Sequence, residues 1–544
     1  MSETTALSST TPGGPGPTWA ELEPEPTDVP QSRAMLERAE WAARAFGALD
    51  KPTVDRILEA VVATAMQHAQ EYAERAVAET GFGVVEHKRL KNEACSRGVL
   101  DFYADADFVT PRIHETAKIV EVPRPAGVVL ALTPSTNPVA TVYFKVLLGL
   151  MTRNAVVVSP HPMAKRVCAD AARELGAAAE AAGAPAGVVQ VVTEPTIPLI
   201  DALMTDPRTS VIVATGGNAV VRAAYRSGTP ALGVGPGNVP VLVDATADLR
   251  AAAQRIVDSK SFDNSCLCTN ESVIIVEDRV ADAFGRALRS AGGYLLDDDE
   301  THRVRETVFP GDRFTPGVVG RSATWLAEQA GVKVPHSTKV LIGKFEQVVP
   351  EEALAREKLT PLLGLVRVPS AAAGIKAARA VLRISGAGHS AAVHSTDPAT
   401  ILEFGAACNV LRVSVNVGNS LGSSGIETHL APTMTVGTGY AGRSSVGENL
   451  RPDHLVNWVS LAYNAATTVP MGDFTALSPW RAASGQVPPY PVPSNAREET
   501  APVRREPTVA TVGTRSGGDD DLREELRRII IEELHDMIGG GHRG

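Results

Sequence analysis

The sequence has few cysteines, no surplus of positive charge and no long apolar run. Its 544 residues contain 5 cysteines, a small and odd number that argues against a disulfide framework and favours a reducing cytosol. The 52 basic and 62 acidic residues give a net charge of -10. This balance argues against a general nucleic-acid binder, which must neutralise many phosphates.

Neither a membrane span nor a secretory signal is predicted. No stretch of about 20 apolar residues occurs, so we expect no transmembrane helix. The first 30 residues are rich in Ser, Thr, Pro and Glu and lack a positive segment followed by an apolar run. Residues 1–32 are predicted to be disordered, because such a segment cannot bury enough apolar surface to offset the entropy of ordering. We therefore expect a cytoplasmic protein whose fold begins near Met35.

The rest of the chain has enough apolar sequence for two or three domains. Helical spacing predicts opening helices over Met35–Leu49 and Val54–Thr80. Between about 117 and 240, short apolar runs alternate with helical stretches, which is typical of strands buried on both faces by crossover helices. These runs are Gly127–Leu132, Ala155–Val158, Val188–Val192 and Ser210–Ala214. The pattern predicts a doubly wound parallel sheet that binds ligands at the carboxyl ends of its strands.

A second α/β series is predicted from about 241 to 430, with a strand near Leu411–Val417. Beyond Asn464 the composition turns to Pro, Ser, Gly and mixed charge, which is typical of a linker. The tail then carries an apolar stripe at helical spacing. Its members are Leu522, Leu526, Ile529, Ile530, Leu534, Met537 and Ile538. An isolated helix of this length is only marginally stable in water. We therefore expect it to dock on the folded part of this chain, to self-associate or to bind a groove on another protein.

Cys268 is the candidate nucleophile. It follows a polar, turn-prone segment, so its thiol can be partly exposed. A thiolate attacks carbonyl carbon and leaves well, so such a cysteine can hold an acyl group as a thioester and pass it on. Cys266 completes a Cys-x-Cys pair, but no second ligand pair stands at metal-binding spacing, so no metal site is predicted. Cys266 could instead trap Cys268 under oxidation.

Six segments of the chain resemble, in order, motifs of the acylating, coenzyme A-dependent branch of the aldehyde dehydrogenase superfamily. They are Thr133–Pro138, Ala214–Gly217, Gly233–Pro240, Ser259–Cys268, Glu357–Pro361 and Gly388–Ala391. The resemblance covers roughly residues 33–465. It implies an α/β, aldehyde dehydrogenase-like fold with a Rossmann-like cofactor domain, a related catalytic domain and a small oligomerisation hairpin.

The implied domain boundaries follow from where these motifs fall. The predicted segments are a disordered N-terminus (1–32), a cofactor-binding domain (33–238, with 108–126 contributing to oligomerisation), a catalytic domain (239–435), a return segment for oligomerisation (436–465), a flexible linker (466–521) and an amphipathic helix (522–538). A homo-oligomer, either dimer or tetramer, is expected. A flexible linker ending in such a helix resembles the encapsulation peptides of bacterial microcompartment enzymes, which makes a shell protein a possible partner.

The resemblance assigns roles around the thioester. Asn137 would donate a hydrogen bond to the oxyanion together with the backbone N–H of Cys268, although Asn before Pro is also a common turn pair. Thr215, Gly216 and Gly217 would form the loop facing the nicotinamide; as an isolated Gly-Gly they would be a tight turn. Glu357 would hold the nicotinamide ribose, the alternative being an ordinary surface carboxylate.

The acyl acceptor is predicted from an absence. Hydrolytic relatives place a glutamate before a Gly-Gly-Lys segment to activate water, whereas Pro230–Val243 contains no carboxylate. The glycine-rich form of this segment, including Gly235, matches the acylating branch. Coenzyme A is therefore the expected acceptor.

The cofactor preference is less tightly fixed. Where hydrolytic relatives carry a carboxylate that binds the adenosine ribose, this chain has Ser159 and His161. The group that would reject a 2′-phosphate is missing, so NAD is the family-based expectation and NADP stays open. Ser159 and His161, with Lys165 and Arg166 behind them, would face the adenine nucleotide or the coenzyme A phosphates, or form an ordinary loop.

Together these assignments predict an enzyme that oxidises a short-chain aldehyde to an acyl-CoA with NAD. If the tail targets a microcompartment, propionaldehyde is the favoured substrate; sulfoacetaldehyde, acetaldehyde and succinate semialdehyde stay open. The alternatives are a hydrolytic dehydrogenase, a phosphate-dependent reductase and a non-catalytic cargo or scaffold protein. His389 could carry protons or be structural. Arg443 departs from the family pattern and is not assigned a role.

Overall fold

The folded chain opens with helices that cover one face of the first sheet. The computed structural model describes residues 28–475 and 477–480. The opening elements are α1 (Asp28–Phe46), α2 (Lys51–Gln67), α3 (Ala69–Thr80), α4 (Val85–Glu93), a π-turn at Ala94–Gly98, α5 (Val99–Phe102), β1 (Arg112–His114) and β2 (Ile119–Pro125). α1 therefore starts within the segment predicted to be disordered.

The predicted second helix is two helices that meet at His68. The His68 backbone leaves the helical conformation, with φ −100° and ψ 5°, and so separates α2 from α3. α3 ends at Gly81, whose φ of 71° is the left-handed conformation that glycine adopts without strain. The predicted stop at Gly81 is confirmed.

A five-stranded parallel sheet follows, in the strand order β5-β4-β3-β6-β7. Its strands are β3 (Val128–Thr133), β4 (Ala155–Pro160), β5 (Val189–Val191), β6 (Thr209–Ala214) and β7 (Ala231–Gly233), and its helices are α6 (Pro138–Met151), α7 (Lys165–Ala181), α8 (Ile197–Thr205) and α9 (Asn218–Arg226). β3 and β4 are buried along their whole length because helices cover both faces. The strands predicted between 127 and 214 are confirmed.

This order starts the chain in the middle of the sheet and reverses its direction of growth once. β4 and β5 extend one way from β3, while β6 and β7 extend the other way. The order is that of a Rossmann-type sheet, in which a crevice opens at the carboxyl ends of the strands flanking the reversal. Here those strands are β3 and β6.

A second parallel sheet has seven strands in the order β10-β11-β12-β9-β8-β13-β14. Its strands are β8 (Val239–Val243), β9 (Glu271–Glu277), β10 (Gly293–Leu295), β11 (Val340–Lys344), β12 (Leu362–Val368), β13 (Ala391–His394) and β14 (Val413–Val415). Its helices are α10 (Leu249–Ser261), α11 (Asp278–Ser290), α12 (Asp298–Val308), α13 (Ala323–Gln329), α14 (Ala371–Ile384), α15 (Pro398–Ala407) and α16 (Asn419–Ser423). The two sheets fall on either side of residue 238.

The last strand, β15 (Val456–Ala462), returns to the N-terminal half of the chain. It pairs antiparallel with β2, which also pairs with β1, to give a three-stranded sheet. The structure thus joins the segments 108–126 and 436–465 in one unit; their role in oligomerisation stays a prediction.

Packing of the chain continues beyond residue 465. The amino group of Lys118 bonds to the carbonyls of Asn464, Ala466 and Val469. Trp480 then packs against the hydrophobic core around the first parallel sheet. Its indole N–H donates to the Val109 carbonyl, and its ring stacks on the Arg153 guanidinium at 4.1 Å. The packed part of the chain therefore reaches past the predicted end of the fold. The predicted amphipathic helix at 522–538 lies outside the described residues.

Candidate active site

The cysteine loop, residues 262–270, joins α10 to β9 and contains an unusual backbone turn. Asp263, Asn264 and Ser265 all adopt positive φ angles, of 50°, 50° and 65°. Each such non-glycine residue costs about 1–3 kcal/mol and persists only where its surroundings hold it. The turn brings the loop from the helix end into the interior, directly before Cys266 and Cys268.

The Asp263 carboxylate holds this turn in place. It accepts hydrogen bonds from the Val84 backbone N–H at 2.7 Å, from Lys88 at 3.1 Å and from Lys91. The Asp263 N–H donates to His87 Nδ1 at 2.8 Å. Burial alone would raise the pKa of this carboxyl, but the two lysine charges outweigh burial and lower it. Asp263 is therefore an ionised group that anchors the cysteine loop to α4.

Cys268 is half-buried, whereas the other four cysteines are buried, and all five are free thiols. Burial, and then the nearby Glu357 carboxyl, raise the pKa of Cys268 to about 12; the backbone N–H groups of Cys268 and Thr269 act in the opposite direction. The thiol is protonated at neutral pH, so its proton must be taken up before it attacks a carbonyl carbon. Cys268 is the cysteine of this chain that a substrate can reach.

Gly237 brings the glycine-rich segment against the cysteine loop. A methyl group added to Gly237 would lie 2.1 Å from the Cys268 carbonyl oxygen and 3.3 Å from a Glu357 carboxyl oxygen. The Gly237 N–H donates to the Glu357 carboxylate, while burial raises the pKa of Glu357 to about 8. Glu357 is thus a half-buried carboxyl beside Cys268, and its role in holding the ribose stays a prediction.

Gly235, predicted as a cofactor contact, lies against a different loop. An added methyl group there would meet the Thr438 hydroxyl at 3.2 Å and the Gly442 carbonyl at 3.5 Å. The glycine that contacts the cysteine loop is Gly237, which lies within the recognised motif but was not singled out from the sequence.

Asn137 lies beside the cysteine loop as the residue that caps α6, followed by Pro138 in the first turn. Its Nδ2 donates to the Cys266 carbonyl at 3.1 Å and to the Thr136 hydroxyl at 3.2 Å. Its Oδ1 accepts from Lys91. One N–H of this amide therefore faces the cysteine loop, where it binds the Cys266 carbonyl, and the role of Asn137 as an oxyanion donor stays a prediction.

Thr215, Gly216 and Gly217 lie at the reversal point of the first sheet, between the end of β6 and α9. The Thr215 hydroxyl contacts the Thr435 hydroxyl at 2.9 Å. Lys145, fully buried, donates to the carbonyls of Leu132 and Val213 and so joins the ends of β3 and β6. Lys145 was missed, because a lysine in an apolar helix gives no signal of the carbonyls it will meet.

Ser159 and His161 lie at the end of the neighbouring strand β4. Ser159 is buried, and the His161 ring accepts from the Met163 N–H at 3.2 Å. Burial lowers the pKa of His161, so the ring is neutral at pH 7. Lys165 pairs with Glu194 and Arg166 lies 3.7 Å from Glu79, so carboxylates already engage both cations.

His389 is fully buried, and its Nδ1 lies 3.0 Å from the Ser390 hydroxyl. Its Nε2 has no hydrogen-bond partner among the described residues. Burial, reinforced by the Arg412 charge, lowers the pKa of His389 to about 3. The ring is therefore neutral at pH 7. Arg412, which sequence reasoning also missed, donates to the His389 carbonyl at 3.1 Å. Its positive charge would favour the thiolate form of Cys268.

Arg443 is exposed, with a φ of 56° in a turn after Tyr440–Gly442. Within residues 28–475 and 477–480, no cluster of three or more His, Cys, Asp or Glu side chains could hold a metal ion. In the same part of the chain, none of the helices combines the length and the apolar character needed to cross a lipid bilayer.

Comparison with known proteins gives this geometry a family. The sequence profile of the aldehyde dehydrogenase family matches residues 20–295. An acetylating succinate-semialdehyde dehydrogenase of Clostridium kluyveri is 33% identical over 80% of this chain and 97% of its own length. The chain belongs to the aldehyde dehydrogenase family. The bifunctional aldehyde-alcohol dehydrogenase of Escherichia coli is 36% identical over 81% of this chain, which spans only 50% of that longer protein.

Solved structures of family members agree on the fold. An acetylating aldehyde dehydrogenase from Geobacillus thermoglucosidasius has a TM-score of 0.79 at 34% identity and covers 80% of this chain with 97% of its own. A propionaldehyde dehydrogenase from a fucose-utilisation microcompartment of Clostridium phytofermentans has a TM-score of 0.74 at 26% identity, with 81% and 98% coverage. The Rhodopseudomonas palustris propionaldehyde dehydrogenase, solved with CoA and an acylated cysteine, has a TM-score of 0.72 at 27% identity, with 79% and 97% coverage. The predicted aldehyde dehydrogenase-like α/β fold is confirmed.

Proposed function

We propose that this protein is a CoA-acylating aldehyde dehydrogenase that forms a thioester on Cys268. The observation that carries this proposal is the segment packed on the cysteine loop. Gly237 lies against the Cys268 carbonyl, and its segment, Pro230–Val243, contains no carboxylate. That segment therefore offers no general base that could activate water against the thioester. A thiol acceptor needs less help, because its thiolate is an intrinsically good nucleophile toward a thioester.

The proposed reaction uses the chain's own groups as follows. The Cys268 thiol first loses its proton to solvent. Its thiolate then adds to the aldehyde carbon, and the carbonyl electron pair becomes an oxyanion that accepts from Asn137 Nδ2–H and a backbone N–H. The C–H bond then breaks with its electron pair leaving as hydride, and the C=O bond re-forms as a Cys268 thioester. The coenzyme A thiolate attacks that thioester, and Cys268 departs as the thiolate. The acyl-CoA keeps the carbonyl group and the carbon substituent of the aldehyde, and the coenzyme A sulfur replaces the hydrogen that left as hydride.

The hydride acceptor is proposed to be NAD, with NADP open. The Rossmann-type strand order and the small residues Gly216 and Gly217 at its crevice fit a dinucleotide, because backbone without side chains allows close approach. A nicotinamide dinucleotide bound there would take up the hydride. Glu357 would hold its ribose, and Ser159 and His161 its adenine half or the CoA phosphates. Neither Ser159 nor His161 carries a negative charge that would repel a 2′-phosphate.

The favoured substrate is propionaldehyde. Two of the solved relatives are propionaldehyde dehydrogenases, one of them from a microcompartment, which supports this choice. The Clostridium kluyveri relative, a succinate-semialdehyde dehydrogenase, favours a four-carbon acid aldehyde instead. Comparing kcat/KM for propionaldehyde, acetaldehyde, sulfoacetaldehyde and succinate semialdehyde decides between them; a higher value for a charged aldehyde would refute the choice.

Cellular context rests on the tail. We propose that residues 522–538 bind a microcompartment shell protein and that the enzyme works as a cytoplasmic or luminal dimer or tetramer. A chain ending at residue 517 should keep full activity and lose shell association on sedimentation with purified shells. Retained association would refute the role of the tail.

The activity is tested by NADH formation from propionaldehyde and NAD, with and without coenzyme A, for the wild type and Cys268→Ser. We expect strict dependence on coenzyme A and loss in the variant. Equal turnover without coenzyme A would identify a hydrolytic enzyme. Turnover restored by inorganic phosphate would identify a phosphorylating reductase, and no turnover under any condition would leave a cargo protein.

A further inference from the structure

Two lysines surround one carboxylate in the interior beside the cysteine loop. Lys88, Lys91 and Asp263 are all at most 3% exposed. Both amino groups contact the same Asp263 oxygen, Lys88 at 3.1 Å and Lys91 more closely. One lysine would balance the charge of the carboxylate, and burying a second cation costs desolvation energy without a second anion. Charge balance therefore does not explain why both lysines are present.

The two lysines differ in what else they touch. Lys88 donates to the Thr136 backbone carbonyl at 2.9 Å. Lys91 donates to the side-chain oxygen of Asn137. An ammonium group can only donate, so Lys91 fixes which end of the Asn137 amide faces it. The opposite end, Nδ2, is then forced toward the Cys266 carbonyl and the cysteine loop.

We propose that Lys91 is a positioning residue, which holds the Asn137 amide in the one orientation that turns Nδ2 toward the cysteine loop, where an N–H now bound to the Cys266 carbonyl would donate to an oxyanion formed at Cys268. The proposal rests on the proposed function, because it assigns the oxyanion to Asn137. If the amide were reversed, its oxygen would face the oxyanion and repel it. The Lys91 contact also polarises the amide, since a charge-assisted bond to the oxygen strengthens the donors at the nitrogen.

The same arrangement recurs on the other side of the cysteine loop. Lys260 is fully buried, and its amino group donates to the side-chain oxygen of Asn270 and to the Lys358 carbonyl at 2.9 Å. The Asn270 amide nitrogen then donates to the carbonyls of Ser265 at 3.2 Å and Leu267.

Three successive carbonyls of the loop, those of residues 265, 266 and 267, are thus bound by two amides, each oriented by a buried lysine. The carbonyl dipoles turn toward these amides, while the N–H groups of Cys268 and Thr269 turn toward the Cys268 sulfur. The recurrence indicates that lysine-oriented amides are the device that shapes this loop.

The test compares Lys91→Met with Lys88→Met. Both variants remove one positive charge from the same carboxylate and leave one lysine paired with Asp263, so both should fold, as circular dichroism and thermal unfolding will check. Only Lys91→Met frees the Asn137 amide. We expect kcat to fall about 10- to 100-fold in Lys91→Met, less than the roughly 10²–10³ expected for removing an oxyanion donor outright, because the amide is misoriented and not removed. KM should change little, and Lys88→Met should lose less than about threefold.

Three further variants separate positioning from a general structural defect: Asn137→Ala, the Lys91→Met/Asn137→Ala double variant and Lys91→Gln. Lys91→Met combined with Asn137→Ala should be no slower than Asn137→Ala alone, because the lysine acts through the amide. Multiplied losses would overturn the proposal, as would equal losses in Lys88→Met. Lys91→Gln, which keeps an N–H donor, should recover part of the rate. The rate at which iodoacetamide alkylates Cys268 should be unchanged in Lys91→Met, Lys88→Met and Lys91→Gln, since that reaction develops no carbonyl oxyanion.

A readout that needs neither NAD nor coenzyme A keeps this proposal distinct from the proposed function. Release of p-nitrophenol from p-nitrophenyl acetate by Cys268 passes through the same kind of oxyanion. If the wild type acylates itself but never oxidises aldehydes, the proposed function fails while Lys91→Met still slows the p-nitrophenol burst. An unchanged burst in Lys91→Met would overturn the positioning role whatever the aldehyde activity.

Discussion

Replacing Gly237 by alanine tests whether the glycine-rich segment shapes the cysteine loop. The added methyl group would lie 2.1 Å from the Cys268 carbonyl oxygen and 3.1 Å from its carbonyl carbon. A carbon and an oxygen without a bond between them approach to about 3.3–3.6 Å, so the backbone at Cys268 must retreat by roughly 1 Å. A misplacement of this size costs roughly 10²-fold in rate. Overpacking should also lower the free energy of unfolding by about 1–3 kcal/mol.

The assay measures kcat and KM for aldehyde, NAD and coenzyme A, together with denaturant unfolding. The matched control is Gly235→Ala, two residues away, where the added methyl group meets a rotatable hydroxyl of Thr438 at 3.2 Å. We expect Gly237→Ala to lose about 10²-fold in kcat, and Gly235→Ala to lose less than about threefold. If the two variants kept similar activity, the contact between Gly237 and the Cys268 backbone would not govern catalysis and our reading of this segment would be refuted.

Two other predictions address electrostatics and packing. In Glu357→Gln, iodoacetamide should alkylate Cys268 about three- to tenfold faster than in the wild type above pH 8, where the carboxyl is ionised and opposes the thiolate; below pH 7 the carboxyl is neutral and the two rates should coincide. A constant ratio across this pH range would contradict the assigned pKa. Trp480→Ala should lower the free energy of unfolding by about 2 kcal/mol without changing kcat, because it removes the stack on Arg153 and the bond to Val109. The exposed Leu477 provides the control, since Leu477→Ala should change stability by less than about 0.5 kcal/mol.

The strands of the first sheet were predictable because each is a short apolar run between turn signals. Val128–Thr133 and Ala155–Pro160 are buried on both faces, and their short length between turn signals separates them from the equally buried helix α6. Boundaries set by single residues were harder to predict. The break at His68 lies in the backbone angles of that residue, φ −100° and ψ 5°, and neither a glycine nor a proline marks it, so the helical periodicity continues across it.

The site was predictable where a motif carried its residues and not where a contact crossed the fold. Cys268, Asn137 and Glu357 stand within recognisable segments, and the structure places Glu357 near Cys268 and Asn137 against the Cys266 carbonyl of the same loop. Lys91 and Asp263 are 172 residues apart, and their pairing depends on how α4 packs on the cysteine loop. A buried lysine on a helix looks like a surface lysine until its partner in the fold is known. The strained turn at Asp263 likewise leaves no mark on composition.

The end of the fold shows a third kind of limit. Residues 466–480 have the composition of a linker, yet Trp480 packs against the core. A single aromatic ring can fix such a segment, because it buries a large apolar area and still satisfies its indole N–H. The average composition of residues 466–480 hides the effect of Trp480, so the end of the fold is predicted too early in the chain.

The most direct test of the central claim is the fate of an acyl group on Cys268. Incubating the protein with propionyl-CoA, without a nicotinamide cofactor, should add one propionyl group to the Cys268 peptide by mass spectrometry. We predict that free coenzyme A removes this group rapidly, that buffer alone leaves it in place for many turnover times, and that Cys268→Ser never acquires it. Release of free propionate into buffer as fast as transfer to coenzyme A would contradict the account, because water would then deacylate the enzyme without the base that the site lacks.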